Sequence, residues 1–225
     1  MLAKACFPLG LRLDTLRRKK GLVKDETARK TAADAAIAER LERIYQDFQR
    51  QAAPFLEGAV CRPGCARCCI EVGNVDATTL EGMRIRAFLH SLPRPQRLEI
   101  GKALERNRRL KRKPGYVRCP FLQKNDTCRI YPVRPFSCRQ VYSLTPCTGA
   151  GPTVHRQVAH LARETVAALQ RLDANGYAGH LSYILELLDD DQFRAFYLAG
   201  GFDPARIMHF ARPRGLSINR LAGTD

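Results

Sequence analysis

The 225-residue sequence lacks tryptophan, long apolar runs and a surplus of acidic side chains. Its apolar stretches fall short of the roughly 18 residues that a membrane-spanning helix requires, so we expect no membrane association. The apolar part of its first residues is too short for a secretory signal, which predicts a cytoplasmic protein. Without tryptophan or interleaved aromatic residues, the sequence offers no platform typical of base stacking.

Positive charge is abundant instead. Lysine and arginine number 38 against 22 acidic residues, a formal net charge of +16, which favours contact with phosphate or with acidic surfaces. The densest segment, residues 94–113, holds nine basic residues and only Glu99 and Glu105 as acids. We interpret it as a helix that faces a nucleic acid or an acidic protein partner. The alternative interpretation is a solvated helix face.

Cysteine is also abundant for a chain with no visible export signal. Nine cysteines are present, and only Cys6 stands apart from the rest. Disulfides are rare in reducing compartments, where clustered cysteines more often bind metal or do redox chemistry. Disulfides and buried free thiols are the alternatives. The predicted metal ligands are the eight clustered residues Cys61, Cys65, Cys68, Cys69, Cys119, Cys128, Cys138 and Cys147.

The spacing of the first four cysteines, in CRPGCARCC, suits a metal site. Cys65 and Cys68 place two sulfurs on one tight turn, the usual source of zinc thiolates. Iron–sulfur clusters use similar short spacings, whereas sulfur ligands exclude Mg²⁺ and Ca²⁺. Cys68 and Cys69 are neighbours whose side chains diverge, so one of them faces the core or a second site. Two four-ligand sites, or one site with spare thiols, both remain open.

Arginines flank the cysteines and are expected to favour thiolates, because positive neighbours lower a thiol pKa. They are Arg62, Arg67, Arg118, Arg129, Arg134 and Arg139. The five histidines are scattered, and we interpret them as ordinary core or surface residues. We found no catalytic triad and no nucleotide-binding loop, so whether the protein is an enzyme stays open.

The predicted fold is mainly α, with a small irregular cysteine-cluster core flanked by N- and C-terminal helices. Thr78 and Glu81 predict a capping box at one helix start, and no segment alternates as a strand does. Proline-rich residues 114–150 predict irregular backbone, and the tail after Phe202 is expected to be loose. Predicted helices cover 27–52, 78–91, 95–113, 153–173, 178–188 and 190–199. The predicted domains are a basic extension with its helix (1–55), the metal-binding domain (56–150) and a helical segment (151–225).

Two motifs, CRPGCARCC and CPFLQKNDTCRIYPVRPFSCR, together resemble the YkgJ family of cysteine-cluster proteins, a zinc- or iron-chelating domain of the CxxCxxCC type. The resemblance covers about residues 60–145 and implies a small cysteine-ligated module with few strands. Cys147 lies beyond the motif, so its role as a ligand rests on proximity alone. The matching positions are Cys61, Cys65, Cys68, Cys69, Cys119, Cys128, Ile130, Tyr131, Arg134, Pro135, Cys138 and Arg139.

One branch that looks similar in this segment, the flagellin lysine-N-methylases, is associated with an iron–sulfur cluster and S-adenosylmethionine. The main hypothesis is therefore a protein that binds zinc or an iron–sulfur cluster through clustered thiolates. The alternatives are a protein lysine methyltransferase that depends on such a cluster, and a nucleic-acid-binding metal module. Arg134 and Pro135 are interpreted as a stiff scaffold between Cys128 and Cys138.

Overall fold

The computed structural model describes residues 35–62, 64–72, 75–111, 115–147, 149 and 151–222. Contacts divide the chain into two units, residues 1–43 and 44–225. The described part of the first unit, residues 35–43, is helical. Cys6, the basic extension and the predicted helix start near Thr27 lie outside the described residues. The division into three predicted domains stays a prediction.

The described residues are mainly helical, as predicted. None of the helices in the described ranges combines the length and apolarity needed to cross a bilayer. Single helical turns occur at Ala53–Phe55, Cys68–Val72, Tyr131–Val133 and Arg212–Arg214. The helices are α1 (35–52), α2 (Thr79–Ser91), α3 (Arg94–Leu110), α4 (Phe136–Arg139), α5 (Arg156–Leu172), α6 (Leu181–Asp189), α7 (Asp191–Leu198), α8 (Pro204–Ala211) and α9 (Asn219–Ala222).

The predicted capping box at the start of α2 is confirmed. The Thr78 hydroxyl accepts a hydrogen bond from the Glu81 amide at 3.3 Å, and the Glu81 carboxylate accepts one from the Thr78 amide at 2.8 Å. Two amides that would otherwise lack partners are satisfied reciprocally, which fixes where the helix begins.

A small antiparallel sheet was missed by the sequence analysis. Its strands are β1 (Asp76–Thr78), β2 (Tyr177–His180) and β3 (Ser217–Ile218), in the order β1-β2-β3. The helix predicted to start near residue 178 begins only at Leu181, because the preceding residues form β2. Strands of two to four residues are too short to display a period of two, so the pattern could not reveal them.

The prediction of a loose tail after Phe202 was wrong. Residues 204–222 contain α8, the turn Arg212–Arg214, β3 and α9. Ile207, Ala211 and Leu216 are buried in a core cluster with residues of α6 and α7. Three well-spaced apolar side chains therefore help to hold this segment against α6 and α7.

The crossing of α2 and α6 depends on Gly82. A Cβ atom there would lie 2.6 Å from Ile184 Cγ2 and 2.8 Å from Leu188 Cδ1. The two helices pack against each other at this point, and both neighbours belong to fully buried side chains. Only a residue without a side chain allows so close an approach.

Gly82→Ala is therefore expected to lower the free energy of unfolding by about 1–3 kcal/mol through overpacking. Denaturant unfolding measures the change. Gly101→Ala is the matched control, because Gly101 lies in α3 and a Cβ atom added there would meet nothing within 4 Å. The control is expected to be neutral, or to stabilise by up to about 1 kcal/mol through helix propensity. Equal unfolding midpoints for both variants would contradict the packing argument.

Asp173 joins several elements of the second unit from a buried position. It follows α5 and is only 4% exposed. Its carboxylate accepts hydrogen bonds from the Leu80 amide at 2.9 Å, from the Tyr197 hydroxyl at 2.6 Å and from the Asn219 side chain at 3.1 Å. Burial raises the pKa of Asp173 to about 7, although the donors from Tyr197 and Leu80 lower it. The Asp173 carboxylate therefore links α2, α7 and α9 through hydrogen bonds.

Stability is expected to fall as the pH rises from about 4 to about 7. The pKa of Asp173 is about 7 in the folded protein against about 3.9 for an ordinary aspartate. The folded state therefore binds a proton that the unfolded chain releases, and the slope reaches about 1.4 kcal/mol per pH unit at most. Urea unfolding at pH 5.5 and 7.5 measures the change in the free energy of unfolding. Asp173→Asn removes this titration, so an unchanged slope in that variant would refute the assignment.

Candidate metal centre

The first cysteine segment contains a hydrogen-bonded turn followed by a π-helical turn. The Cys65 amide donates to the Arg62 carbonyl at 3.0 Å, and the Cys69 amide donates to the Ala66 carbonyl at 3.0 Å. Residues Cys68–Val72 form a π-helical turn. Cys61 and Cys65 are exposed, whereas Cys68 and Cys69 are half-buried. The segment therefore runs from the surface towards the core.

The second cysteine segment is an irregular hairpin attached to the first. The Cys119 amide donates to the Cys69 carbonyl at 2.8 Å. Leu122 and Cys128 form an isolated antiparallel bridge, supported by the hydrogen bond from the Arg129 amide to the Phe121 carbonyl at 3.0 Å. The backbone of this region is irregular, as predicted. The hydrogen bond between Cys119 and Cys69 joins two segments that lie 50 residues apart in sequence.

Four thiols, here called the inner group, lie against the hydrophobic core. Cys119 is 7% exposed and belongs to the core cluster, and the other three pack against that cluster. The Cys69 and Cys119 thiols share a hydrogen bond. Cys138 interacts electrostatically with Cys69 and with Cys128. The inner group consists of Cys69, Cys119, Cys128 and Cys138.

The other four thiols, here called the outer group, include the two exposed residues Cys61 and Cys65, whereas Cys68 and Cys147 are half-buried. Cys61 interacts electrostatically with Cys65, Cys147 and Cys68. The Cys61 sulfur accepts a hydrogen bond from the Ser143 amide at 3.3 Å, and the Ser143 carbonyl accepts one from the Val60 amide at 2.8 Å. These two hydrogen bonds hold Ser143, four residues before Cys147, beside Val60 and Cys61. The outer group consists of Cys61, Cys65, Cys68 and Cys147.

Cys68 lies between the two groups. Its thiol shares a hydrogen bond with that of Cys69, and it interacts electrostatically with Cys61, Cys128 and Cys138. Successive side chains on a helical turn point in different directions. The neighbouring pair Cys68 and Cys69 therefore forms the boundary at which the outer group meets the inner one.

Glu81 holds the helix that carries Cys138. Its side chain is buried, with 3% exposure, and accepts hydrogen bonds from the Phe136 amide at 2.7 Å and the Tyr45 hydroxyl at 2.6 Å. The Arg139 guanidinium lies 4.4 Å from the centre of the Tyr45 ring. The sequence indicated Glu81 only as a helix cap, and no local pattern could have revealed its bond to a residue 55 positions away.

The Arg134-Pro135 pair connects the turn Tyr131–Val133 to α4. The Arg134 guanidinium lies 4.1 Å from the centre of the Tyr131 ring, and the Arg134 carbonyl accepts a hydrogen bond from Arg139 Nε at 3.0 Å. Pro135 precedes the first residue of α4. The pair thus stiffens the turn between Cys128 and Cys138.

Burial outweighs Arg134 in setting the pKa values of Cys128 and Cys138. Burial raises the pKa of Cys128 and of Cys138, and the charge of Arg134 lowers both by less. The hydrogen bond to Cys119, together with burial, raises the pKa of Cys69 to about 12. Arg134 thus acts on Cys128 and Cys138 in the expected direction, but burial outweighs its effect. Metal binding to these thiols must displace their protons.

The eight described cysteines are all free of disulfides. Across the described ranges, no three or more Cys, His, Asp or Glu side chains are arranged to hold a metal ion as they stand. The His155 and His180 rings cap α5 and α6 by accepting from the Gln157 and Ser182 amides. The donor set that gathers in both groups is purely thiol, which fits zinc or iron and not the hard cations.

A known domain matches the segment that carries these thiols. No curated protein and no solved structure matches the chain. The match to the domain spans residues 60–162, a little under half of the chain, and includes all eight clustered cysteines. These residues match the CxxCxxCC family, which is described as a "Putative zinc- or iron-chelating domain".

Proposed function

We propose that this protein binds zinc or iron through the thiolates of its eight clustered cysteines. The observation that carries the proposal is the convergence of thiols from distant segments. Cys119 is joined to Cys69 through both main chain and side chain, and Cys61 is near Cys147. Scattered core cysteines would not gather in this way around loops.

Binding changes the state of the thiols. Each ligand must lose its proton and rotate its side chain until the sulfurs surround one ion, so protons are released on binding. Zinc or iron held in this way supplies a cross-link between segments that regular hydrogen-bond ladders do not hold. The hairpin around Leu122 and Cys128, with its single bridge, is the part that such a cross-link would stabilise.

Metal analysis of protein purified without oxygen tests the proposal. We expect stoichiometric zinc in a colourless protein, or iron and sulfide in a coloured one. Cys6→Ser is the matched control, because Cys6 lies outside the cluster in sequence, and it is expected to retain the metal. Protein that takes up neither metal after anaerobic reconstitution would refute the proposal.

A second candidate function, nucleic-acid binding, is favoured by the exposed side of α3. Arg94, Arg97, Lys102, Arg106 and Arg109 are all exposed there. Of the two acids of this helix, Glu99 is engaged by Arg129. A row of cations over about 22 Å of helix is complementary to a phosphate backbone.

Binding of RNA or DNA to this face is expected to weaken steeply with salt, since phosphate contacts release counterions. Replacing Lys102, Arg106 and Arg109 with alanine is expected to reduce the slope by about three. The matched control replaces Arg156, Arg163 and Arg171, which are exposed on α5. Equal losses in both variants would indicate attraction to overall charge alone, and undetectable binding would remove this candidate.

No observation favours a catalytic step. A groove of about 530 Å³ lies between Gln140, Val141, Val154 and the helices α5 and α9, and none of the eight cysteines lines it. The similarity to flagellin lysine-N-methylases, the assignment to the YkgJ family and the cytoplasmic location stay predictions. The proposal is therefore limited to binding.

A further inference from the structure

The groove beside α5 has the size and the lining of a ligand site. Its volume of about 530 Å³ lies within the range of about 300–1,000 Å³ that such sites usually have. Lining residues recur along one face of α5 at intervals of three and four, from Ala159 to Gln170, which spans about 17 Å. The aliphatic lining residues are Val141, Val154, Ala159, Ala162, Val166, Ala167 and Ala222.

The wall of the groove that carries Val141 and Val154 is held by hydrogen bonds. The Leu144 amide donates to the Thr153 carbonyl at 2.9 Å, and the Thr153 amide donates to the Ser143 hydroxyl at 2.9 Å. These bonds join the segment that follows Val141 to the segment that precedes Val154. A ligand therefore meets a largely preformed wall, so that little binding free energy is lost to ordering the chain.

Three polar side chains stand among the aliphatic ones: Gln140, Arg163 and Gln170. Arg163 is exposed and is the only charged residue of the described lining. Within the part of the chain that the structure describes, its guanidinium forms no ion pair. The neighbouring Glu164 carboxylate lies 3.6 Å from His160 Nδ1 instead. A guanidinium of this kind is complementary to an anion, and its planar fork matches the geometry of a carboxylate.

We propose that this groove binds a small organic monocarboxylate with an apolar body. The carboxylate pairs with the exposed guanidinium of Arg163, and the body lies against Val166 and Ala167, one turn further along α5. Because the described lining offers a single cation, one negative charge balances it. The inference does not depend on the proposed metal binding, since none of the eight cysteines lines the groove.

Titration of the isotope-labelled, full-length protein with octanoate, followed by nuclear magnetic resonance, tests the inference. Acetate supplies the carboxylate without the apolar body, and octylammonium supplies the body with the opposite charge. Neither is expected to reproduce the effect of octanoate at the same concentration. If acetate and octanoate acted alike, attraction to the formal net charge of +16 would explain the binding, and the inference would be overturned. For octanoate we expect saturable shifts of the amide resonances of Val141, Val154, Ala159, Val166 and Ala167.

Substitutions on α5 test the two parts of the site separately. Arg163→Gln is expected to weaken octanoate binding about fivefold, the effect of one partly exposed ion pair. Arg171→Gln is the matched control, because Arg171 is exposed on the same helix and lies outside the groove lining. Its affinity is expected to stay unchanged. Ala167→Phe is expected to fill the groove and to abolish binding.

Several results would overturn the site. They are equal losses in Arg163→Gln and Arg171→Gln, undiminished binding in Ala167→Phe, and octanoate shifts confined to other parts of the chain. The absence of saturable shifts would likewise exclude a small monocarboxylate as the occupant and would leave a partner helix as the alternative. Metal content, measured on the same protein, decides the proposed function independently of all these outcomes.

Discussion

Replacing Glu81 with alanine is expected to lower the free energy of unfolding by about 3 kcal/mol or more. The carboxylate accepts three hydrogen bonds, from the Thr78 amide, the Tyr45 hydroxyl and the Phe136 amide. Each buried donor left without a partner costs about 1–3 kcal/mol. Denaturant unfolding of the metal-free protein measures the loss without contributions from bound metal.

The same substitution is expected to weaken metal binding, because it releases the first amide of α4, the helix that carries Cys138. Glu105→Ala is the matched control, since Glu105 is a glutamate exposed on α3. Surface changes of that kind usually alter stability by no more than about 0.5 kcal/mol. Similar unfolding midpoints for the two variants would show that Glu81 does not anchor α4.

Withdrawal of metal is expected to lower the unfolding temperature by about 10 °C or more. Thiolate binding contributes directly to folding free energy, and zinc-finger peptides gain about 10–16 kcal/mol from it. For a chain of this size, each kcal/mol shifts the midpoint by about 2–4 °C. Calorimetry with and without a strong chelator measures the change, and hydrogen exchange locates it. We expect residues 59–72 and 115–147 to lose protection first.

A cysteine-to-serine series locates the origin of this effect. Cys138→Ser, in the buried inner group, is expected to reproduce most of the loss in unfolding temperature. Cys61→Ser, at the exposed end of the cluster, is expected to cost less, and Cys6→Ser nothing. If the chelator leaves the unfolding temperature unchanged, metal does not hold these loops together and the proposed role of the cysteines fails.

Local sequence signals predicted the long helices well. The capping box of Thr78 and Glu81 placed the start of α2, and the apolar spacing of residues 153–173 predicted α5, observed at Arg156–Leu172. The observed helix starts three residues later than predicted, because the ring of His155 caps its N-terminus. Helices of four or more turns carry enough residues for their periodicity to be recognised.

Elements that depend on distant partners could not be predicted. The strand β2 lies between β1, about 100 residues earlier, and β3, about 40 residues later, and no local pattern encodes such pairings. The structure of the segment after Phe202 also depends on residues that are distant in sequence. Its sequence is basic, yet Asn219 is fully buried and donates to the carbonyl and carboxylate of Asp173.

Spacing alone identified the candidate thiols but not their grouping. The diverging side chains of Cys68 and Cys69 suggested two environments, and the two groups meet at that pair. The division of the remaining six cysteines could not be inferred, because it follows from the Ser143 loop and from the bond between Cys119 and Cys69. Likewise, only the folded chain shows that burial is the largest influence on the pKa values of Cys128 and Cys138.

The order of synthesis on the ribosome has a consequence for cofactor loading. The core beside the inner group includes Leu181 and Leu185 of α6, which are translated roughly 40 residues after Cys147. At the usual elongation rates of about 5–20 residues per second, that interval lasts about 2–8 s. The cysteines are therefore synthesised seconds before the helix that packs beside the inner group.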